Sequence, residues 1–185
     1  MKKHLIILIT VVMLIGCNNK SQLNKTFNCG SANFNELTTN SDFNKNFTIK
    51  IPSNWKTNLY YDQNQSELFA ADTTKQLSKS YIIDVAYNYG SINLNEPFIK
   101  SIDSTITSSK LTKLKSGKTT FKNKPSFWYL SNGTKKGFTY HQLNLIIKVS
   151  NTAYITCYSQ IYGEKNIDER ICESISLFDN IDFLQ

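Results

Sequence analysis

The strongest constraint in this sequence is a period-two alternation of apolar and polar residues that recurs through its second half. In residues 138–149, Leu143, Leu145, Ile147 and Val149 fall on one side of an extended chain, and beyond a turn at Asn151 the residues Ala153, Ile155, Cys157 and Ile161 do the same. Side chains of a strand point alternately to opposite faces, so each run is a strand with one face buried. A short turn between two such runs makes them an antiparallel pair. Earlier segments repeat the pattern. Phe47, Ile49 and Ile51 alternate with Thr48 and Lys50; residues 66–71 form a second short run; Tyr81, Ile83, Val85, Tyr87 and Tyr89 share a face opposed by Asp84 and Asn88. Residues 126–130 (SFWYL) read as another strand, with turns expected at Lys124-Pro125 and at Asn132-Gly133. Residues 112–121 are also strand-like. Leu114 and Phe121 are an odd number of residues apart and cannot share a face in strict alternation, so a bulge or bend is expected at Gly117.

Two segments change period. After Asn95-Glu96-Pro97, the residues Phe98, Ile99, Ile102 and Ile106 recur at helical spacing, with Pro in the first turn and an acid at the positive end. Ile167, Ile171, Ile175 and Phe178 form a second helical stripe, for which Asn166 and Glu169 suggest a capping box. The order is three strands, a helix, about four strands and a helix. This is an α+β domain: a mostly antiparallel sheet of about six to seven strands flanked by helices.

The N-terminus has a different character. Met1-Lys2-Lys3-His4 is a short positive segment, followed by an apolar run of 11 residues, 5–15. A span of the bilayer needs about 20 apolar residues, so this run is a signal-peptide core and not a membrane helix. It ends in Leu14-Ile15-Gly16-Cys17, which resembles the bacterial lipobox. The resemblance implies cleavage before Cys17, diacylation of its thiol and acylation of the new amine. Two or three acyl chains, at about 0.8 kcal/mol per buried CH₂, hold a protein on a membrane almost irreversibly. No Asp follows Cys17, so attachment to the outer membrane facing the periplasm is expected, with a cell-surface lipoprotein as the alternative. Residues 1–16 are thus a leader. Residues 17–46, with nine Asn and sparse, aperiodic apolar residues, read as a lipidated Cys and flexible tether, and 47–185 as the domain.

Within that domain, Phe47-Thr48-Ile49-Lys50-Ile51-Pro52-Ser53-Asn54-Trp55 is a strand running into Pro-x-x-Trp, and residues 116–125 are a bent strand closed by a Pro turn. With the long hairpin and the final amphipathic helix, these resemble the PsbP-like superfamily over residues 47–184. That group takes its name from an extrinsic subunit of the oxygen-evolving photosystem and includes a nuclear Ran-binding protein. The resemblance implies an α-β-α sandwich around an antiparallel sheet. It implies no reaction, because fold alone does not fix function.

The search for chemistry mainly excludes. His141 is the only His outside the leader, no Cys-x-x-Cys occurs, and no Gly-x-Ser-x-Gly elbow or Gly-rich phosphate loop is present. No metal and no cofactor is therefore expected. Glu67, Asp72 and Asp84 are the candidate carboxylates for a glycosidase-like pair, should the fold gather them. In an oxidising compartment Cys157, on the core face of the last strand, and Cys172, bordering the helical stripe, are the expected disulfide. Its loop of about 15 residues would contribute about 3 kcal/mol. Cys29 would be left free or pair between chains.

Lys110, Lys113, Lys115, Lys118, Lys122 and Lys124 crowd one strand. Lys113, Lys115, Lys118, Lys122 and Lys124 are either a patch for an anionic partner or the lysines of an edge strand that block edge-to-edge aggregation, and the second is favoured. Trp55, Tyr60, Tyr61, Trp128 and Tyr129 supply aromatic surface for the core or a groove. A formal charge of +7, falling to +5 without Lys2 and Lys3, comes with no nucleic-acid-binding motif, and none is expected as partner. The expected function is a non-catalytic binding or assembly module for an envelope protein or small ligand. An envelope hydrolase and a small-molecule or lipid carrier are the alternatives. Oligomeric state stays open.

Overall fold

The computed structural model describes residues 21–184. The leader and Cys17 lie outside the described residues. Among these residues no helix is long and apolar enough to cross a membrane.

The elements run α1 (Gln22–Thr26), β1 (Leu37–Ser41), β2 (Phe47–Pro52), β3 (Lys56–Tyr61), β4 (Gln65–Ala71), β5 (Tyr81–Tyr89), α2 (Glu96–Ser108), β6 (Thr112–Phe121), β7 (Lys124–Lys135), β8 (Phe138–Lys148), β9 (Ala153–Tyr162), α3 (Ile167–Asp179) and β10 (Asp182–Phe183). Seven strands form one sheet in the order β3-β4-β5-β9-β8-β7-β6, and a small sheet has the order β1-β2-β10. Every ladder is antiparallel. The α+β expectation holds.

Alternation decides which residues meet which helix. Ile83 and Val85 of β5, Leu143, Leu145 and Ile147 of β8, and Ile155, Cys157 and Ile161 of β9 point to one face. There they pack with Ile171, Ile175 and Phe178 of α3 and with Phe47, Ile49 and Ile51 of β2. Fully burying an aliphatic or aromatic side chain of this size contributes about 1.5–3 kcal/mol, so this face holds most of the stability. On the opposite face α2 covers only one end, packing Ile102 and Ile106 on Phe127, Tyr129 and Ile146. The rest of that face carries polar and aromatic side chains. Asn95 caps α2 as expected, its side chain accepting from the Phe98 N–H.

Several local expectations are corrected. Residues 21–46 are built into the domain instead of forming a flexible tether. Leu23 is buried, Phe27, Phe34 and Leu37 dock on the core rim, and β1 pairs with β2. Each apolar residue there docks singly, so no periodicity betrays it. The first hairpin turn is Lys122-Asn123, both at positive φ, and Pro125 lies inside β7 opposite Thr120. The next is Lys136-Gly137, because β7 runs on through Asn132-Gly133. The register shift in β6 falls between Lys113 and Lys115, not at Gly117. Gly117 instead makes room for an indole, since a Cβ there would stand 3.1 Å from Nε1 of Trp128. Asn166 begins α3 in the left-handed region with no side-chain cap, and Asp168 and Glu169 supply the negative charge of the first turn.

The disulfide is Cys29–Cys172, with Cα atoms 5.3 Å apart, and not Cys157–Cys172. Cys157 is a fully buried free thiol. A residue one position past Ile171 is turned by about 100° around the helix axis, so Cys172 sits at the edge of the core stripe, where it meets Cys29 from the segment after α1. The bridge closes a separation of 143 residues. In the chain-entropy account that contributes about 5 kcal/mol, more than the short loop would.

Candidate functional site

The two edges of the large sheet are unlike. β6 is one edge, and its lysines stand where edge protection requires. Lys113 pairs with Asp103 at 2.5 Å and Lys122 with Asp182. The shift at Leu114 sets Lys113 opposite Ser131 and Lys115 opposite Leu130, on opposite faces, while Lys118 opposes Phe127. The lysines therefore line the strand on both sides and do not converge on one patch.

β3, the other edge, has only Lys56 among its residues (KTNLYY) and an unbroken register against β4. Leu59, Tyr60 and Tyr61 are 44%, 56% and 59% exposed. Phe43, from the β1–β2 turn, stacks on Tyr61 with ring centroids 3.8 Å apart. An edge strand offers a row of unpaired N–H and C=O groups, and this one is neither charged over nor bulged. Beside it a groove of about 640 Å³ is lined by Lys56, Asn58, Tyr60, Glu67, Phe69 and Ile82, with others at its rim. The strand escaped sequence detection because both its faces are open, which removes the alternation. The signal that remained was its run of large apolar and aromatic residues.

The groove backs onto a carboxyl pair. Glu67 opposes Ala86 and Asp84 opposes Phe69, so the two acids are diagonal neighbours on one face. They are close enough for each charge to be felt by the other. Asp84 is 6% exposed, and its Oδ1 has no hydrogen-bond partner. Burial, and then the neighbouring Glu67, push its carboxyl up to about 8. Asp72, the third acid considered, is elsewhere: its carboxylate accepts from the N–H and hydroxyl of Thr74 and pairs with Lys75 at 3.3 Å.

A second cleft, of about 970 Å³, opens between the Pro52–Trp55 turn and the start of α3. Trp55 meets Tyr81 edge to face at 5.0 Å. Burial, and then Glu173 beside it, raise the Tyr81 phenol, and burial raises Glu173. Arg170 also lines this cleft but is not free to hold an anion. Its guanidinium instead donates to the carbonyls of Ser80 at 3.0 Å, Tyr162 at 2.7 Å and Lys165, which ties three loops together. His141 lies on β8, its pKa held down by burial and then by Arg170. Its Nδ1 has no hydrogen-bond partner, so no carboxylate orients the ring through that atom as in a catalytic triad. Trp128 and Tyr129 are buried core residues. Among the described residues no group of His, Cys, Asp and Glu is placed to hold a metal ion.

An antiparallel sheet with helices packed on its two faces is the fold of the PsbP and Mog1 proteins. The chain superposes on cyanobacterial PsbP from Synechocystis sp. PCC 6803 with a TM-score of 0.60 at 9% identity, covering 84% of this chain and 96% of that one. On the Ran-binding protein Mog1p of Saccharomyces cerevisiae the TM-score is 0.55 at 10% identity, covering 81% and 96%. No family model and no curated protein matches the sequence. At this identity the likeness shows the fold alone.

Proposed function

We propose that this chain is an envelope lipoprotein, anchored through Cys17, that acts as a non-catalytic binding module and holds an extended segment of a partner protein along β3. The observation that carries the binding reading is the contrast between the two sheet edges. β6 is closed by lysines and a bulge, whereas β3 is open, unbroken and bordered by exposed Leu59, Tyr60 and Tyr61. Adding a strand to such an edge gives affinity through main-chain hydrogen bonds and specificity through the pockets beside it. The lipobox-like leader supports the anchor.

Two features argue against the other readings. A glycosidase needs both carboxyls open to the scissile bond, and Asp84 is buried. A lipid carrier needs an apolar cavity between sheet and helix, and that space is filled by Ile171, Ile175 and Phe178.

The test is photo-crosslinking in the native envelope. A crosslinking residue at Leu59 should capture a partner protein, and one at Thr119 on β6 should not. Equal capture at both edges, or none at β3, would refute the docking reading. Palmitate labelling tests the anchor separately: label undiminished in Cys17→Ala would remove it.

A further inference from the structure

The groove beside β3 is acidic on a chain whose formal charge is +7. Glu67 lines it, and Asp84 lies directly behind in contact with Glu67. No ion pair among the described residues involves either acid. Glu67 accepts a long hydrogen bond, 3.4 Å, from the Gln65 side chain, and Oδ1 of Asp84 is buried without a hydrogen-bond partner. Lys56 is the cation lining the groove. It opposes Ala71, four residues along β4 from Glu67, which places it about 13 Å away at the far end. Tyr60 and Phe69 meet edge to face at 5.4 Å and form an aromatic wall next to the acids.

The register then fixes what a docked strand would present. Tyr60 opposes Glu67 on the groove face. A strand added outside β3 places every second side chain on that same face, about 10 Å from β4. An extended basic side chain and the Glu67 side chain span that distance together. We infer that the segment docked on β3 carries a lysine or arginine whose cationic head passes along Tyr60 and Phe69 to the Glu67–Asp84 pair. Both halves of the site suit that ligand. The aromatic faces attract a cation, and the buried acid gains the donor it lacks. This inference rests on the docking reading above and adds the chemistry of the partner.

The test uses the full lipidated chain in detergent micelles and three probes. Each is a capped peptide Thr-Val-Xaa-Val-Thr bearing a terminal photo-crosslinker, with Xaa lysine, norleucine or glutamate. Labelling is mapped by mass spectrometry and titrated for affinity. The lysine probe should label β3 and bind at least about fivefold tighter than norleucine, with glutamate weaker still. In Glu67→Gln the advantage of lysine over norleucine should vanish while labelling of β3 persists. Glu67 is only partly buried, so this variant folds, and Asp84→Asn serves as the second variant. Equal binding of lysine and norleucine to the wild-type chain would overturn the inference and leave the docking reading standing. Absence of β3 labelling by every probe would overturn the docking reading itself.

Discussion

Replacing Asp84 by asparagine should flatten the dependence of stability on pH. In the folded chain the Asp84 carboxyl titrates near 8, against an ordinary 3.8, because it is buried and faces Glu67. Below about pH 4 it is protonated whether the chain is folded or not. Between about pH 4 and 8 the unfolded chain gives up the proton and the folded chain keeps it. Stability therefore falls as pH rises through that window and levels off above it. At about 1.36 kcal/mol per unit of pKa difference, the upper limit is about 6 kcal/mol. Water can approach the half-buried Glu67 and screens the site, so we expect about 2–4 kcal/mol. Asparagine is nearly isosteric and carries no such proton. Urea denaturation followed by tryptophan fluorescence at about pH 5 and about pH 8.5 should show the variant gaining on the wild type by that amount at the higher value. His141, Glu173 and Asp179 titrate in both proteins and cancel in the difference. Two parallel stability curves would show that Asp84 is not held protonated and would refute the reasoning.

Cys29→Ser with Cys172→Ser should cost up to about 5 kcal/mol, read as a lower urea midpoint, and non-reducing peptide mapping should recover a fragment joining these two cysteines. Arg170→Met should cost about 3 kcal/mol or more in a thermal melt, because three carbonyls of Ser80, Tyr162 and Lys165 lose a charged donor. Ile175→Ala, at a fully buried site, should lose about 2–5 kcal/mol of unfolding free energy, whereas the same measurement on exposed Leu59→Lys should change by less than about 0.5 kcal/mol. Leu59→Lys should nevertheless abolish capture by a crosslinking residue placed at Tyr61, exposed on the same strand.

The sequence alone determined the class of fold, and the reason lies in the period of its apolar residues. Alternation in residues 81–89, 138–149 and 153–161 depends on one buried face, and a residue reports that burial by its own identity. The helical stripes of α2 and α3 report theirs in the same way. The crowding of lysines on β6, an edge strand of the sheet, was likewise legible, because charge is a local property of a segment. Tertiary structure decided what depends on two distant segments at once. Cys172 finds Cys29 only because α1 folds back over α3. Phe43 reaches Tyr61 only because the small sheet lies across the large one. Glu67 and Asp84 become a pair only when the β4–β5 register sets them diagonal. No periodicity records such meetings, since each partner looks ordinary within its own strand.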